Sequence, residues 1–330
     1  MKKIVVAGIY NDKAIRLFQS LCPEGYTMDI VGVPEDNELI AAVEDADFLF
    51  LRGSVNIPDE LLKRAKKLRL MQKWGAGFDQ YDMKQIGQYN IPFMNCAGIN
   101  AVQVSEMTLA LMLALYRRIL PVSSDMKKGI WSKEQYLPDC RTINGKLVGV
   151  VGIGNIGRRV AKLVQAFGAK VQYYDAFRLS EDVEQANGFA YTSLEELLKT
   201  SDIVTLHVPL FPETRKLINA ETLSMMKPSA VLINAARGEI VDEKALYEAL
   251  CSKKIAGAAL DVIEDEQHQS EATNPLFGLS NVIITPHMGA STDEVLQAMV
   301  ERCFENVVGV DNGTIDPKLY QNYQYFTQKV

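Results

Sequence analysis

Gly152-Ile153-Gly154-Asn155-Ile156-Gly157 constrains this chain more than any other stretch. It follows the strand-like run Leu147–Val151 and opens a helix-like run, Ile156 to Phe167, that stops at Gly168. A second strand-like run, Lys170–Tyr174, then ends at Asp175. Strand, glycine turn, helix, strand and acid form the context in which G-x-G-x-x-G binds a dinucleotide. Gly152 makes the tight turn, Gly154 lets the backbone approach a pyrophosphate, and Gly157 lets helix and strand pack closely. The opening of the helix, at Asn155 and Ile156, offers unpaired N–H groups and a positive dipole end to the phosphates. Asp175 lies 18 residues past Gly157, where a carboxylate accepts from ribose hydroxyls and repels a 2′-phosphate. The expected cofactor is therefore NAD rather than NADP. Arg178, three residues on, is expected to be a solvated loop charge.

The same alternation runs through the rest of the chain. Before the fingerprint, strands are expected at 4–7, 28–31, 48–51, 68–72 and 92–95, with helices between them at 13–21, 38–43 and 58–65. After it, strands are expected at 147–151, 170–174, 203–207, 230–234, 256–261 and 281–285, six that fit two mononucleotide-binding halves. A capping box at Ser193-x-x-Glu196 opens one helix, and another follows Asp242. A long helix over about 101–120 separates the two series, and 121–144 is expected to be irregular, with Trp131 and Tyr136 packing on something, such as a second subunit. With 330 residues the chain has room for two domains. No flexible tether separates the two sheets, so a cleft between clasped domains is the expected ligand site.

A net charge of −6 argues against a nucleic-acid or anionic-membrane partner. The apolar N-terminal run is too short for a signal peptide, and the longest apolar run, Met107 to Tyr116, falls short of the ~20 residues that span a bilayer. The five scattered cysteines have no C-x-x-C or metal-ligand spacing, so reduced thiols in a cytoplasm are expected, with no metal.

Hydride transfer from an alcohol needs a base, and the chain has three histidines. His287 ends the last strand, in Thr285-Pro286-His287-Met288-Gly289, on the side where parallel sheets bind ligands. His207 ends another strand, before Val208-Pro209, and is expected to line the cofactor pocket. His268, among Glu, Gln and Ser, is expected to be solvated. Arg237, in Asn234-Ala235-Ala236-Arg237-Gly238, can grip a carboxylate bidentately. A carboxylate beside the imidazole would favour the imidazolium, but by sequence Glu264, Asp265 and Glu266 are interchangeable.

These stretches, with Gly75-Ala76-Gly77-Phe78-Asp79, Asn100-Ala101-x-x-Val104-Ser105-Glu106, Leu206-His207-Val208-Pro209-Leu210, Ala259-Leu260-Asp261-Val262 and Thr285-Pro286-His287, resemble the D-isomer-specific 2-hydroxyacid dehydrogenases over essentially the whole length. In the phosphoglycerate dehydrogenase-like branch the catalytic Glu lies 29 residues past the Arg, which lands on Glu266. The usual Pro after that Glu is Gln267 here. The resemblance implies an α/β protein of two doubly wound parallel-sheet domains. Residues 1–100 plus 290–330 would form a flavodoxin-like substrate domain and 101–289 a Rossmann NAD-binding domain, with the active site in the interdomain cleft. It implies a catalytic triad of Arg237, Glu266 and His287. Cofactor contacts would come from the glycine loop, Asp175, His207, Val208, Pro209, Thr214, Ala235, Ala236, Arg237, Asp261, His287 and Gly289. Substrate contacts would come from Arg52, Lys73, Trp74, Gly75, Ala76 and Gly77 with Arg237 and His287.

Trp74 stands where the family has a small residue and either narrows the pocket or packs in the core; Phe78, in place of a valine, is expected to pack. Arg52, Lys73 and Lys133 match basic positions of the phosphoglycerate dehydrogenases and suit a phosphorylated or dianionic substrate, and a short form without the regulatory domain of longer members is expected. The expected activity is NAD-linked interconversion of a small D-2-hydroxy acid and its 2-keto acid. Phosphoglycerate or glycerate/hydroxypyruvate are favoured, then glyoxylate. The expected assembly is a homodimer through residues 121–144. The rival readings are an NAD-sensing scaffold resembling corepressors and a phosphite dehydrogenase.

Overall fold

Short strand-forming runs give the first sheet, the inner ones buried on both faces and the edge run over 26–32 only partly buried. In a computed structural model, which describes residues 1–53, 55–266 and 273–327, these runs are β1 (Lys2–Ala7), β2 (Tyr26–Gly32), β3 (Phe48–Leu51), β4 (Leu70–Lys73) and β5 (Phe93–Met94). They pair in parallel in the order β2-β1-β3-β4-β5, the flavodoxin-like order. Ile4, Val5 and Val6 are fully buried because helices cover both sides of the strand. One side packs Leu39, Ile40, Leu61 and Leu62. The other packs Phe18, Phe50 and Phe304, whose ring centroids lie 5.6–6.0 Å apart.

Phe304 belongs to the late helix Asp293–Asp311, so the chain returns to its first sheet. Asp311 accepts hydrogen bonds from Lys2, Arg69 and the Tyr26 hydroxyl, and Asn322 Oδ1 accepts from the Phe93 N–H at 3.0 Å. Met1–Asn100 and Thr292–Val330 thus form one unit, and Ala101–Ser291 the other.

The second unit holds β6 (Leu147–Val151), β7 (Lys170–Tyr174), β8 (Phe189–Tyr191), β9 (Ile203–Leu206), β10 (Val231–Asn234), β11 (Gly257–Leu260) and β12 (Val282–Ile284). All are parallel, in the order β12-β11-β10-β9-β6-β7-β8. Six strands were expected; β8 is the seventh, three residues at the sheet edge after Gly188 turns the chain in the left-handed region (φ 65°). The expected helix 101–120 is two helices. Ala101–Tyr116 ends where Arg118 takes φ 51°, and Ile119–Lys127 follows. The segment expected to be irregular therefore carries this second helix and a short one at Lys133–Tyr136. None of the residues of these two short helices is buried in the chain. Among the described residues no helix is long and apolar enough to cross a membrane.

Candidate active site

In each unit the first strand lies where the strand order reverses, and that is where parallel sheets leave a crevice for ligands. After β6, Gly152 takes φ 94°, and a Cβ there would stand 2.7 Å from the His207 carbonyl at the end of β9. The turn therefore closes only with glycine. The Gly152 N–H donates to Tyr174 O at 2.8 Å and the Ile153 N–H to Asp175 Oδ2 at 2.8 Å. The helix Asn155–Ala166 then starts from Gly154 without a side-chain cap. Among the described residues the N–H groups of Gly154, Asn155 and Ile156 meet no acceptor, and a Cβ on Gly154 would project into open space. This is an anion cradle.

His207 lies against this loop. Its Nε2 is 2.9 Å from Thr205 Oγ1, its buried Nδ1 has no partner among the described residues, and burial pushes its pKa down to about 3. It is a neutral imidazole at pH 7. Val208 Cγ1 closes over Gly152. Thr214 Oγ1 donates to Pro209 O at 2.7 Å and accepts from the Phe211 N–H at 2.8 Å, fixing the loop after β9.

Arg178 lies exposed on its loop, as expected, but is paired rather than free. Its Nε and Nη2 each donate to Glu184 at 2.9 Å, and its guanidinium lies 5.0 Å over the Tyr191 ring.

The loops after β10, β11 and β12 carry the three residues expected to do the acid–base chemistry. His287 Nδ1 is 3.0 Å from the Glu266 carboxylate, with both side chains partly exposed. That hydrogen bond raises the imidazole pKa against the opposing effects of desolvation and the Arg237 charge. With Nδ1 engaged, Nε2 is the nitrogen left to face a reacting oxygen. His287 itself has φ 52°, and its N–H donates to Asp261 O and Thr285 O at 2.8 and 2.9 Å. Asp261, 1% exposed, accepts from Thr285 Oγ1 (2.6 Å) and from the N–H groups of Met288 (2.8 Å) and Gly289 (2.7 Å). Its carboxylate braces the histidine loop.

Arg237 directs Nη1 to Ala236 O at 2.6 Å. The buried Asn234 holds this turn through the Ala236 N–H (3.0 Å) and Arg237 O (2.8 Å). Next to it Gly238 lies against the Ile263 backbone so closely that a Cβ would stand 2.1 Å from the Ile263 carbonyl carbon. The arginine turn and the acid loop are thereby pressed together. Gln267 and His268 lie outside the described residues.

In the first unit the same device recurs. Gly8 (φ 124°) abuts Arg52, with a Cβ there only 2.5 Å from Arg52 O. The Arg52 guanidinium lies 5.3 Å over Tyr10 and 5.6 Å over Trp74. Trp74 itself is in the core, 5.2 Å from the Phe18 ring, and Phe78 packs 6.1 Å from Phe93. Lys73 is buried and donates to Trp74 O at 2.9 Å. Gly75 O accepts from the Cys96 N–H at 2.9 Å and Ala76 O from Asn95 Nδ2 at 2.5 Å. The Gly75 and Ala76 carbonyls are therefore occupied, whereas the N–H groups of Gly75, Ala76 and Gly77 meet no acceptor among the described residues. These N–H groups are open to an acceptor. Lys133, on its short helix, is exposed beside Glu134.

Residues 109–289 match the family described as "D-isomer specific 2-hydroxyacid dehydrogenase, NAD binding domain". The chain is similar to the D-3-phosphoglycerate dehydrogenase of Methanocaldococcus jannaschii, 37% identical over 298 residues, which are 90% of this chain and 55% of that one. It is also similar to the glyoxylate reductase of Thermococcus litoralis, 36% identical over 87% of each chain. The chain belongs to this family of NAD-dependent D-2-hydroxyacid dehydrogenases. The crystal structure of the Aquifex aeolicus D-lactate dehydrogenase, complexed with NAD and lactic acid, superposes with a TM-score of 0.84 at 31% identity, covering 94% of this chain and 96% of that one. The chain spans about half the length of the Methanocaldococcus enzyme.

The dehydrogenase loop after β6 fits NAD on its own geometry: open N–H groups, no Cβ in the cradle, and an acid at the end of β7. Sequence reasoning missed Glu243, whose Oε1 accepts from the Glu264 N–H and whose Oε2 accepts from Asn274 Nδ2, both at 2.6 Å. It opens a helix after Asp242 and reads as an ordinary first-turn acid, so no sequence signal sets it apart.

Proposed function

We propose that this dehydrogenase interconverts a small D-2-hydroxy acid and its 2-keto acid. Phosphoglycerate/phosphohydroxypyruvate or glycerate/hydroxypyruvate are the favoured pairs, and glyoxylate comes next. The observation that carries the reading is the 3.0 Å contact between His287 Nδ1 and Glu266 on loops at the ends of parallel strands, one of which abuts the arginine turn. NAD supplies the hydride acceptor or, reduced, the donor. Arg237 grips the keto acid, and the open N–H groups of Gly75, Ala76 and Gly77 are assigned its carboxylate. In reduction, Nε2 of the imidazolium gives its proton to the carbonyl oxygen; in oxidation the neutral imidazole takes the hydroxyl proton. Glu266 keeps the ring oriented and favours its charged form.

For the substrate's far end, Arg52 supports a phosphate or second carboxylate. Its guanidinium lies against the Tyr10 and Trp74 rings, and no hydrogen bond or ion pair to a described residue engages its N–H groups, which suits them to pair with an anion. The test is turnover of NADH with 3-phosphohydroxypyruvate, hydroxypyruvate and glyoxylate by the wild type and Arg52→Ala. The expected result is a KM raised tenfold or more for the phosphorylated acid, from one lost charge-assisted contact of roughly 1.5–3 kcal/mol, and little change for glyoxylate. Equal losses on all three, or no activity with the phosphorylated acid, would retire the phosphate assignment. Binding of NADH without turnover of any keto acid would retire the enzymatic reading.

A further inference from the structure

A guanidinium near the acid that reads the ribose is what accommodates a 2′-phosphate in NADP-binding sheets of this kind. This chain has one, Arg178, three residues past Asp175, and the structure turns it elsewhere. Glu184, 8% exposed, takes both prongs of its fork at 2.9 Å and a third hydrogen bond from the Tyr173 hydroxyl at 2.6 Å. Tyr173 in turn accepts from the Leu179 N–H at 2.9 Å, which ties the segment after Arg178 to the same cluster. Tyr191 on the edge strand β8 supplies the ring under the guanidinium. The fork and the hydroxyl hold the Glu184 carboxyl down to about 2, so it is ionised at neutral pH. Yet the Arg178 side chain is half-exposed, so a change of rotamer would free it without repacking the core.

We propose that Glu184 is a specificity-determining residue that withholds Arg178 from a 2′-phosphate, so that rejection of NADP has two parts. Asp175 repels the phosphate, and Glu184 with Tyr191 captures the cation that would otherwise welcome it. A bidentate, ring-stacked arginine loses two charge-assisted hydrogen bonds and a cation–π contact if it leaves, and a solvated phosphate competes poorly against that. The inference rests on the NAD cradle after β6 and is independent of which keto acid is turned over.

The test is calorimetric binding of 5′-AMP and adenosine 2′,5′-bisphosphate to the full chain, with NADH and NADPH titrated by fluorescence. Glu184→Gln keeps an acceptor for Tyr173 but removes the charge from the fork. It should tighten the 2′,5′-bisphosphate about tenfold while leaving 5′-AMP within about twofold. The gain should vanish in Glu184→Gln/Arg178→Ala, and Arg178→Ala alone should change neither ligand. Tyr191→Leu, an exposed edge position that keeps the fork, should give a smaller gain in the same direction and carries the test should Glu184→Gln fail to fold. An unchanged preference in both variants, a gain that survives loss of Arg178, or a wild type weakened toward the bisphosphate by Arg178→Ala alone would each overturn the proposal.

Discussion

His287 is held in a left-handed backbone conformation that costs a non-glycine residue on the order of 1–3 kcal/mol. The Asp261 brace explains how it persists. Its conformation delivers Nδ1 to Glu266, and the hydrogen bond raises the imidazole pKa above its ordinary value. The sign follows. A raised folded-state pKa means the proton is kept to higher pH, so the pair adds stability below the unfolded pKa of about 6.5 and loses it as pH rises through the folded value. Reduction needs the proton, so its kcat/KM should fall through that same raised pKa, whereas oxidation should rise. Glu266→Gln removes the charge, and the alkaline fall of the reductive profile should move to lower pH; an unmoved profile would detach Glu266 from this role. His287→Ala should lower kcat on the order of 10²–10⁴-fold with NADH binding retained, measured by single-substrate kinetics and fluorescence titration. At this scale the sequence pointed to strand ends but left Glu264, Asp265 and Glu266 alike. The structure separates two of them: Glu264 offers its backbone N–H to Glu243, while Glu266 offers its carboxylate to the histidine.

Strands and their terminal loops were legible where period and length were strong. β3, β6 and β7 match the expected spans because their apolar runs are bounded by polar or glycine residues. β8 was not, because three residues at an edge carry no period. The break at Arg118 was hidden too, since its positive φ is taken by a residue with no intrinsic preference for it. The bracing of loops by buried acids was equally invisible, because an acid spent on backbone N–H groups looks like any other in a sequence. Asp261 makes this testable. Asp261→Asn keeps the shape but replaces one carboxylate oxygen with an NH₂ group, which faces either the Gly289 N–H or the Thr285 hydroxyl and the Met288 N–H. An unmade buried hydrogen bond of this kind costs roughly 1–3 kcal/mol. The variant should unfold at a lower temperature in calorimetry and lose kcat more than NADH affinity. Unaltered melting and turnover would mean that Asp261 does not hold the histidine loop.

At the scale of the whole molecule, residues 119–137 present Ile119, Leu120, Met126, Ile130, Leu137 and a Trp131 that is 78% exposed. We propose a homodimer contact through this apolar arm, since so many large exposed side chains in one segment suit an interaction surface. Light scattering at micromolar concentration should give twice the 36.7 kDa chain mass, and Trp131→Glu should shift it toward the monomer; a monomeric wild type would end the assignment. The two-unit division has a temporal side as well. The stretch from Ala101 to Ser291 is continuous, whereas the first unit needs Phe304, Asp311 and Asn322 before its sheet gains its second covering face. A ribosome that has made everything up to Thr292 therefore holds a chain whose middle can already fold while its beginning waits. During that interval the side of β1 and β3 that Phe304 will cover has only the early helix carrying Ala14 and Phe18 against it, which leaves apolar surface open to aggregation.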